Sequence, residues 1–314
     1  MAAQMERRRG DLAVDDAVNG GVRFLLASQD AGGGWGYRAG GMAFVEPTAL
    51  SLVAVSRAAQ QGEPQAAKAM QRGVAWLVDG QHGDGGWGVC AIDEESTWAT
   101  GYAVLALSVL ANGLPGELAA MARGALERGL CWLLRDLGPC VSADRQVLPG
   151  EVKPLDPKLV GWPWSEGECF WVFPTAIAVL GAVAAGQGQS PRVRQGVEYL
   201  VEQACQGGGW NFGNPYMLDK ALWPAEVETA AALLALKAAG STASVVAEGR
   251  ERLRALLDQA ASPLNLGWGL LGLRAWSQDH EAAATRLARE QAADGGWRGN
   301  PFTTAVATLA LDGG

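Results

Sequence analysis

The sequence predicts an all-α fold, an (α/α)6 toroid in which six inner helices are enclosed by six outer helices. A Gly-Gly-Trp signature returns four times along the chain, within Gln29–Gly36, Gln81–Gly88, Gln206–Asn211 and Gln291–Arg298. Glycines and prolines divide the chain into about twelve segments with helical spacing, which alternate between amphipathic and almost uncharged. A unit that recurs in this way indicates a repeat architecture.

The odd-numbered segments carry the charges, as is typical of helices that face solvent on one side. They are 14–28, 64–80, 116–136, 190–204, 243–260 and 279–292. The even-numbered segments are rich in Ala and Gly and almost free of charge. They are 47–60, 97–112, 172–185, 227–239, 264–277 and 301–311. A helix that is apolar on every side needs burial on every side, so the second set predicts the inner ring.

Closure into a ring is expected because a linear stack of hairpins would leave two apolar ends open. No change in composition marks a linker, so we predict one toroid domain over 13–314, after a mobile N-terminal arm over 1–12. The widest irregular stretch, Leu137–Glu168, holds five prolines. A stretch of this length is typical either of a lid or of a plain insertion, and the sequence leaves both open.

The formal net charge of −8 argues against a nucleic-acid partner, because phosphate binding needs clustered Lys and Arg. Five scattered cysteines without a CxxC pair favour reduced thiols in a cytoplasmic protein. No stretch predicts a signal peptide or a transmembrane segment, whereas peripheral contact with a membrane is left open. Two histidines are too few for a zinc site built on several His ligands.

The repeated signature resembles the QW motif of terpenoid cyclases, which places Gly, an aromatic residue, Leu, Gln, Gly and Trp at fixed spacing. Two copies match at every position, namely Gly21, Phe24, Leu25, Gln29, Gly33 and Trp35, and Gly73, Trp76, Leu77, Gln81, Gly85 and Trp87. Two copies match in part, around Trp210, with Ala204 in the Gln place, and around Trp297, with Arg286 in the aromatic place. Gly129, Trp132 and Leu133 begin another copy, which is lost in the long loop.

Physical chemistry gives these motif residues a structural role. The Gln side chain can bond backbone groups left without a partner at helix ends. The glycines permit a tight turn, and the Trp can pack over a neighbouring helix end with its N–H satisfied. We therefore expect the motif to tie each hairpin to the next.

The resemblance implies the barrel shared by squalene–hopene cyclases and the β-subunits of protein prenyltransferases, which handle long isoprenoids in an apolar, aromatic-lined cavity. Squalene–hopene cyclases carry an acidic triplet before a Thr-Ala pair, and its middle Asp protonates an alkene. No such segment here has the full triplet, and only Glu46 is an acid at the middle position. Prenyltransferases bind zinc through Asp, Cys and His. The matching positions hold Ser165, Gly167 and Thr303, so no metal site is expected.

Three acids are candidate catalytic residues. The inner helices run parallel, so their N-terminal ends gather at one mouth of the barrel, where Glu46, Glu226 and Glu228 fall. A buried carboxyl can be kept neutral by its neighbours and serve as an acid, and Glu46 is the leading candidate, with Glu228 as its partner. The alternative is that these acids only complement the positive helix ends, at about 0.3–1 kcal/mol each.

Aromatic residues gather at the same mouth and are the candidate substrate-binding residues. They are Phe44, Trp98, Trp162, Trp164, Trp171, Phe173, Tyr216, Trp223, Trp268 and Phe302. Aromatic faces stabilise carbocations by about 0.5–2 kcal/mol each. Ordinary packing between large helices is the alternative explanation for them.

These residues and the resemblance together predict an isoprenoid-handling protein, with a hydrophobic small molecule as its partner. If it is an enzyme, we expect a class II terpene cyclase-like isomerase or lyase that cyclises a linear isoprenoid after protonation. No cofactor is expected, and magnesium would be needed only with a diphosphate substrate. The alternative is a toroid that has lost the acidic and zinc motifs and binds a lipid or a partner without catalysis.

Overall fold

Two concentric layers of helices form the protein, whose computed structural model describes residues 2–138, 158–217 and 220–313. The inner helices are α2 (Val45–Gln60), α4 (Ala99–Leu110), α6 (Val172–Ala184), α8 (Glu226–Ala238), α10 (Pro263–Arg274) and α12 (Pro301–Asp312). The outer helices are α1 (Ala2–Ser28), α3 (Pro64–Asp79), α5 (Gly116–Leu133), α7 (Pro191–Glu202), α9 (Val245–Gln259) and α11 (Glu281–Arg289). The predicted (α/α)6 toroid is confirmed.

Closure of the inner ring is visible in which helices touch. Each inner helix packs against the next, from α2 through α4, α6, α8 and α10 to α12, and α12 packs back against α2. The outer layer closes in the same place, because α1 contacts both α11 and α12. The inner helices can approach closely because they carry small residues. A Cβ added at Gly181 of α6, for example, would lie 2.7 Å from the carbonyl oxygen of Gly101 in α4.

Local sequence explains where several helices begin. Pro64, Pro191, Pro263 and Pro301 are each the first residue of their helix, where proline's missing N–H costs nothing. In three of these helices the residue before the proline caps the first turn with its side chain; these residues are Glu63, Ser190 and Asn300. Each cap accepts a hydrogen bond from a backbone N–H that the helix leaves unpaired.

The first helix is longer than predicted, and some of the loops contain short regular elements. Helix α1 begins at Ala2 and so includes the segment predicted as an arm, while the mobility of that arm stays a prediction. A 3-10 turn follows α4 at Ala111–Gly113. Two small antiparallel hairpins precede inner helices, β1 (Trp162–Pro163) with β2 (Phe170–Trp171) before α6, and β3 (Tyr216–Met217) with β4 (Lys220–Ala221) before α8.

The motif tryptophans make the same two hydrogen bonds in five hairpins. The buried indole N–H of Trp35 donates to the carbonyl of Leu25 at 2.8 Å, and its backbone N–H donates to Thr48 Oγ1 at 2.8 Å. Equivalent pairs of bonds are made by Trp87, Trp162, Trp210 and Trp297. The tryptophan thereby joins the end of an outer helix to the start of the following inner helix, as predicted.

The motif glutamines tie neighbouring hairpins together. Gln29 Nε2 donates to the carbonyls of Gly33 and, at 2.8 Å, of Ala69 in the next outer helix. Gln81 does the same with Gly85 and Ala125. In the last copy Gln291 donates to the carbonyl of Ala17 at 2.7 Å, which fastens the end of the chain to its first helix.

The copy that begins at Gly129 is completed beyond the long loop. Its tryptophan is Trp162, whose indole N–H donates to the carbonyl of Leu133 at 2.9 Å, 29 positions back; in the complete copies this separation is 10. The loop is therefore an insertion inside the turn of the third hairpin. The question of a lid concerns 139–157, which lie outside the described residues.

This position gives Trp162 a structural role, and its predicted contact with a substrate stays a prediction. Its side chain is 3% exposed, and its ring packs at 3.5 Å from the guanidinium of Arg192 and against the backbone of Gly196. Trp162 therefore belongs to the structural set of tryptophans. The insertion hid this role, because the spacing that identifies the motif is interrupted.

Candidate active site

The starts of the inner helices place five side chains at equivalent positions around the ring. The reference point is the threonine that bonds each motif tryptophan, and the residues two positions before it are Glu46, Trp98, Phe173, Val227 and Phe302. Four of them are the second residue of their helix, and Trp98 directly precedes α4. One acid therefore occupies a position that is otherwise aromatic or apolar.

Aromatic rings fill the interior at this level. The ring of Phe173, in α6, lies 5.5 Å from that of Trp268, in α10. Helix α8 separates α6 from α10 in the ring, so this contact spans the interior. Trp98 packs edge-on against Trp164 at 4.6 Å and against Phe173 at 5.9 Å. These four residues form one continuous aromatic wall, which contains four of the predicted substrate-binding residues.

A second aromatic group surrounds the acid. Tyr37, in the loop before α2, lies 5.0 Å from the ring of Phe44 and 5.7 Å from that of Phe302. Its hydroxyl donates a hydrogen bond to Glu46 Oε2. Glu46 itself is buried, so the carboxyl is enclosed beside these aromatic side chains.

The environment of Glu46 favours its neutral form near neutral pH. Burial raises the pKa of Glu46 to about 7, while the hydrogen bond from Tyr37 and the nearby hydroxyl of Tyr102 act to lower it. Burial dominates because a carboxylate loses its hydration inside the barrel. The Glu46 carboxyl therefore holds its proton up to about pH 7. Once the proton is lost, the two hydroxyls beside it can stabilise the carboxylate.

Tyr102, on inner helix α4, is the second tyrosine near Glu46. It lies one turn beyond Trp98 and its ring contacts those of Trp98 and Phe173. It is fully buried, and its hydroxyl has no hydrogen-bond partner of good geometry. Burial and the nearby Glu46 carboxylate raise the pKa of Tyr102 well above its usual range, so this hydroxyl remains a donor.

The other two predicted acids lie at the start of α8. In the order of the inner helices α8 is opposite α2, so Glu228 and Glu46 lie on opposite sides of the ring. Glu228 is buried, and burial raises its pKa, with a further rise from the charge of Glu226. Glu226 itself is half-buried. The structure therefore brings Glu226 and Glu228 together and keeps them on a different helix from Glu46.

The remaining predicted residues lie at the rim. Phe44 and Trp171 are half-buried, and the indole N–H of Trp171 has no hydrogen-bond partner. Tyr216 is half-buried in the β3–β4 hairpin. Trp223 is 82% exposed and is not part of the aromatic wall, so its predicted contact with a substrate stays a prediction.

Sequence reasoning did not single out Tyr37 or Tyr102, although both touch the acid's environment. The chain has four tyrosines, and Tyr102 interrupts an inner helix made mostly of Ala, Val and Leu. The isolated hydroxyl of Tyr102 in an apolar helix could have identified it from the sequence as a candidate site residue. Nothing in the sequence identifies Tyr37, because its contact with Glu46 depends on how the loop folds back.

The described part of the chain contains no helix that is long and apolar enough to cross a membrane. Within the same residues, no three His, Cys, Asp or Glu side chains group together in a way that could hold a metal ion.

Comparisons with known proteins agree with this architecture. The family model of the squalene-hopene cyclase C-terminal domain matches residues 3–139. A squalene-hopene cyclase from Schizosaccharomyces japonicus is 24% identical over 232 residues, which cover 67% of this chain and 32% of the relative. Both matches are similarities to squalene-hopene cyclases, over the first part of the chain in the one case and at low identity in the other. The chain spans about a third of the length of that relative, whose whole activity is therefore not carried over.

Solved structures with the same fold cover this chain almost completely. A protein from Actinoplanes superposes with a TM-score of 0.64 at 21% identity, over 96% of this chain and 99% of its own. A variant of the type II terpene cyclase MstE from Scytonema, in complex with geranylgeranyl dihydroxybenzoate, gives a TM-score of 0.63 at 18% identity and covers 98% of both chains. At these identities the likeness establishes the fold alone.

Proposed function

We propose that this protein cyclises a linear isoprenoid at the mouth of the barrel, with Glu46 as the acid that starts the reaction. The observation that carries the proposal is the buried Glu46 carboxyl, which is bonded by Tyr37 and lies at a ring position where the equivalent residues are Trp98, Phe173 and Phe302. A proton donor next to aromatic faces is what protonation of an alkene requires.

The proposed first step is transfer of the Glu46 proton to an alkene carbon of the substrate. A pKa of about 7 keeps most of the Glu46 carboxyl protonated in a slightly acidic solution. Burial also excludes water that would compete for the proton. When the proton leaves, the carboxylate keeps the hydrogen bond from Tyr37, and the hydroxyl of Tyr102 lies nearby; both lower the cost of the charge. The protein therefore stabilises both forms of its acid.

The proposed role of the aromatic wall is to stabilise the carbocation. Phe173 and Trp268 face each other across the interior at 5.5 Å, and Phe302 lies on the side of Tyr37 and Glu46. Each aromatic face near a desolvated cation contributes about 2 kcal/mol or less. A few such faces would lower the barrier to ring closure by several kcal/mol in total.

Glu228 is the proposed partner of Glu46 at the end of the reaction. A carbocation returns to a neutral product by losing a proton, and a carboxylate on the opposite side of the ring can accept it. No metal or organic cofactor takes part in this scheme, and magnesium would enter only with a diphosphate substrate. A cytoplasmic location belongs to the same proposal.

The test is conversion of defined probes by the purified protein. Squalene, geranylgeraniol, geranylgeranyl diphosphate and geranylgeranyl dihydroxybenzoate, the compound bound to MstE, would be incubated and the products separated by mass spectrometry. Cyclised isomers of at least one probe are expected. Glu46→Gln is expected to lower the rate by about 100-fold or more, whereas Glu95→Gln, an exposed acid on the loop before α4, should leave it unchanged.

The outcomes separate catalysis from binding. Full conversion by Glu46→Gln would exclude Glu46 as the acid. Tight binding of the probes without any product, in wild type and variant alike, would identify the protein as a non-catalytic lipid-binding toroid.

A further inference from the structure

One aliphatic side chain on each inner helix is partly exposed, although its two neighbours in sequence are buried. These side chains lie seven positions after the second residue of each inner helix, or after Trp98 in α4. They are Val53, Leu105, Leu180, Leu234, Leu271 and Leu309, and we call them the base ring. Seven residues are two turns of helix and return to the same face. The base ring therefore faces the axis of the barrel, as Glu46 and Phe173 do at the mouth.

Helix packing confirms the register of α10, which lacks the motif threonine. A Cβ added at Gly272 of α10 would lie 2.9 Å from the Cα atom of Ala230 in α8, just as one at Gly181 of α6 would lie 2.7 Å from the carbonyl oxygen of Gly101 in α4. Each of these glycines directly follows a residue of the base ring. Leu271 is therefore equivalent to the ring residues of the other helices.

A closed layer separates the base ring from the mouth. It consists of the residues at the inward positions one turn nearer to the mouth. They are Leu50, Tyr102, Ile177, Ala231, Trp268 and Val306. All six are buried, so solvent reaches the base ring from the other direction.

The barrel is open at its base, where the inner helices end. One turn beyond the base ring, Val109 is 45% exposed, and Ala184 and Ala238 are exposed as well. Exposure therefore increases from the closed layer to the ends of the helices. The protein has a second apolar opening, at the opposite end of the barrel from Glu46.

The width of this opening decides what can enter it. Six helices spaced about 8–10 Å apart lie about as far from the axis of their ring, because the side of a regular hexagon equals its radius. Each helix with its side chains has a radius of about 5–6 Å, so roughly 2–5 Å remain around the axis. One hydrocarbon chain fits, because carbon atoms pack at about 4 Å, whereas an α-helix about 10–12 Å across does not.

The chemistry of the base ring excludes an extended peptide in the same way. Six aliphatic side chains offer no hydrogen bond to a peptide N–H or C=O group, and leaving such groups unpaired is costly. Charges stand only at the outer end of the opening, where Arg57, Lys237 and Arg274 lie in the last turns of their helices. Arg57 and Arg274 pair with Asp312 and Asp279, so this end is polar without being built for an anion.

We propose that the base ring binds one linear hydrocarbon chain, the tail of a single-chain lipid, which enters from the end of the barrel opposite to Glu46. The tail contacts the six aliphatic side chains and stops at the closed layer that contains Tyr102 and Trp268. The polar end of the lipid stays outside, among the charges at the helix ends. This site is distinct from the candidate active site, and the proposal does not depend on Glu46 acting as an acid.

The first test is the binding of linear alcohols from 1-hexanol to 1-decanol to the full chain, measured by isothermal titration calorimetry. Uncharged probes leave attraction to the charges at the base out of the result. Each methylene that enters the ring is expected to tighten binding by up to about fourfold, from about 0.8 kcal/mol per buried CH2. The gain is expected to stop once the chain spans the roughly 10 Å between the helix ends and the closed layer.

Two substitutions in α8 form a matched pair for locating the chain. Leu234→Trp places an indole in the base ring, and Val227→Trp places one on the same face at the mouth, two turns away. Leu234→Trp is expected to weaken binding of 1-decanol by about tenfold or more because it fills the opening, and Val227→Trp by less than about twofold. Leu309→Gln, which keeps the size of the side chain and adds a polar group, is expected to weaken binding too.

Other results would overturn the proposal. Weaker binding in Val227→Trp with wild-type binding in Leu234→Trp would place the chain at the mouth. Equal affinity in wild type, Leu234→Trp and Leu309→Gln, or no saturable binding of any alcohol, would exclude a site at the base ring. Thermal melting identifies any variant that is unfolded at the temperature of the titration, and Leu309→Gln then decides in place of Leu234→Trp.

Photochemical labelling gives an independent location. Decanol with a diazirine at the end of its chain is expected to label the second halves of the inner helices, as read by peptide mass spectrometry. Labels confined to the loops before the inner helices would exclude the site. Neither measurement involves conversion of the probe, so failure of the proposed cyclisation and failure of this site are separate results.

Discussion

At the scale of single residues, Glu46 links the site to the stability of the protein. Its pKa in the folded protein, about 7, lies above the ordinary value of 4.5, so folding favours the protonated form. The contribution of Glu46 to the free energy of unfolding is therefore expected to be fully present below about pH 4.5 and to be lost as the pH rises through about 7, a change of roughly 3 kcal/mol. Urea denaturation across this range, with wild type and Glu46→Gln compared at each pH, isolates the contribution. A difference between the two proteins that does not vary with pH would contradict it.

A motif tryptophan and an exposed one give a second prediction at this scale. Trp35→Phe removes the indole N–H that bonds Leu25 and leaves a cavity, and it is expected to cost about 2–4 kcal/mol. Trp223→Phe changes a side chain that is 82% exposed and should alter stability by less than about 0.5 kcal/mol. Chemical denaturation of both variants measures the two values. Similar losses would show that Trp35 has no special structural role.

At the scale of helical hairpins, the turn glycines control how closely one hairpin approaches the next. Gly85 has φ +94°, and a Cβ there would lie 2.7 Å from the carbonyl oxygen of Arg128 in α5. Gly240 has φ +71° and nothing within 4 Å of an added Cβ. Both substitutions by Ala carry the backbone penalty of about 1–2 kcal/mol, but Gly85→Ala is expected to cost at least about 2 kcal/mol more because the hairpins must separate. Thermal and urea melts compare them, and equal losses would contradict the close approach.

Most of the structure of the helical hairpins could be predicted from the repeated sequence pattern. Inner and outer helices followed from helical spacing and charge, and the ties made by Gln29, Gln81 and Gln291 followed from the motif, because both patterns are local in sequence. The bonds themselves join residues 40, 44 and 274 positions apart. The copy completed by Trp162 did not follow, since the insertion separates its parts. In the fifth hairpin the motif tryptophan is replaced: Arg286, from the next outer helix, donates to the carbonyls of Leu257 and Ala260.

At the scale of the whole molecule, the ring is one cooperative structure whose last helix closes it. Helix α12 is almost completely buried between α10, α2 and α1. Ending the chain after Asn300 would expose the apolar faces of α2 and α10, and we expect loss of cooperative unfolding and aggregation. Circular dichroism melting and size-exclusion chromatography measure this. A truncated chain that stays monomeric and melts cooperatively would mean that the hairpins are independently stable.

The sequence by itself determined the helices, their division into two layers and the residues that tie them, because helical periodicity and motif spacing are local properties of the chain. It also placed Glu46 at the one acidic position among equivalent positions that are aromatic or apolar. The tertiary structure alone decided that Tyr37 and Tyr102 are the partners of Glu46, that Phe173 meets Trp268 across the interior, and that Trp223 is exposed. These contacts join residues from different helices and loops, and they exist only once the ring has closed and expelled water from its centre.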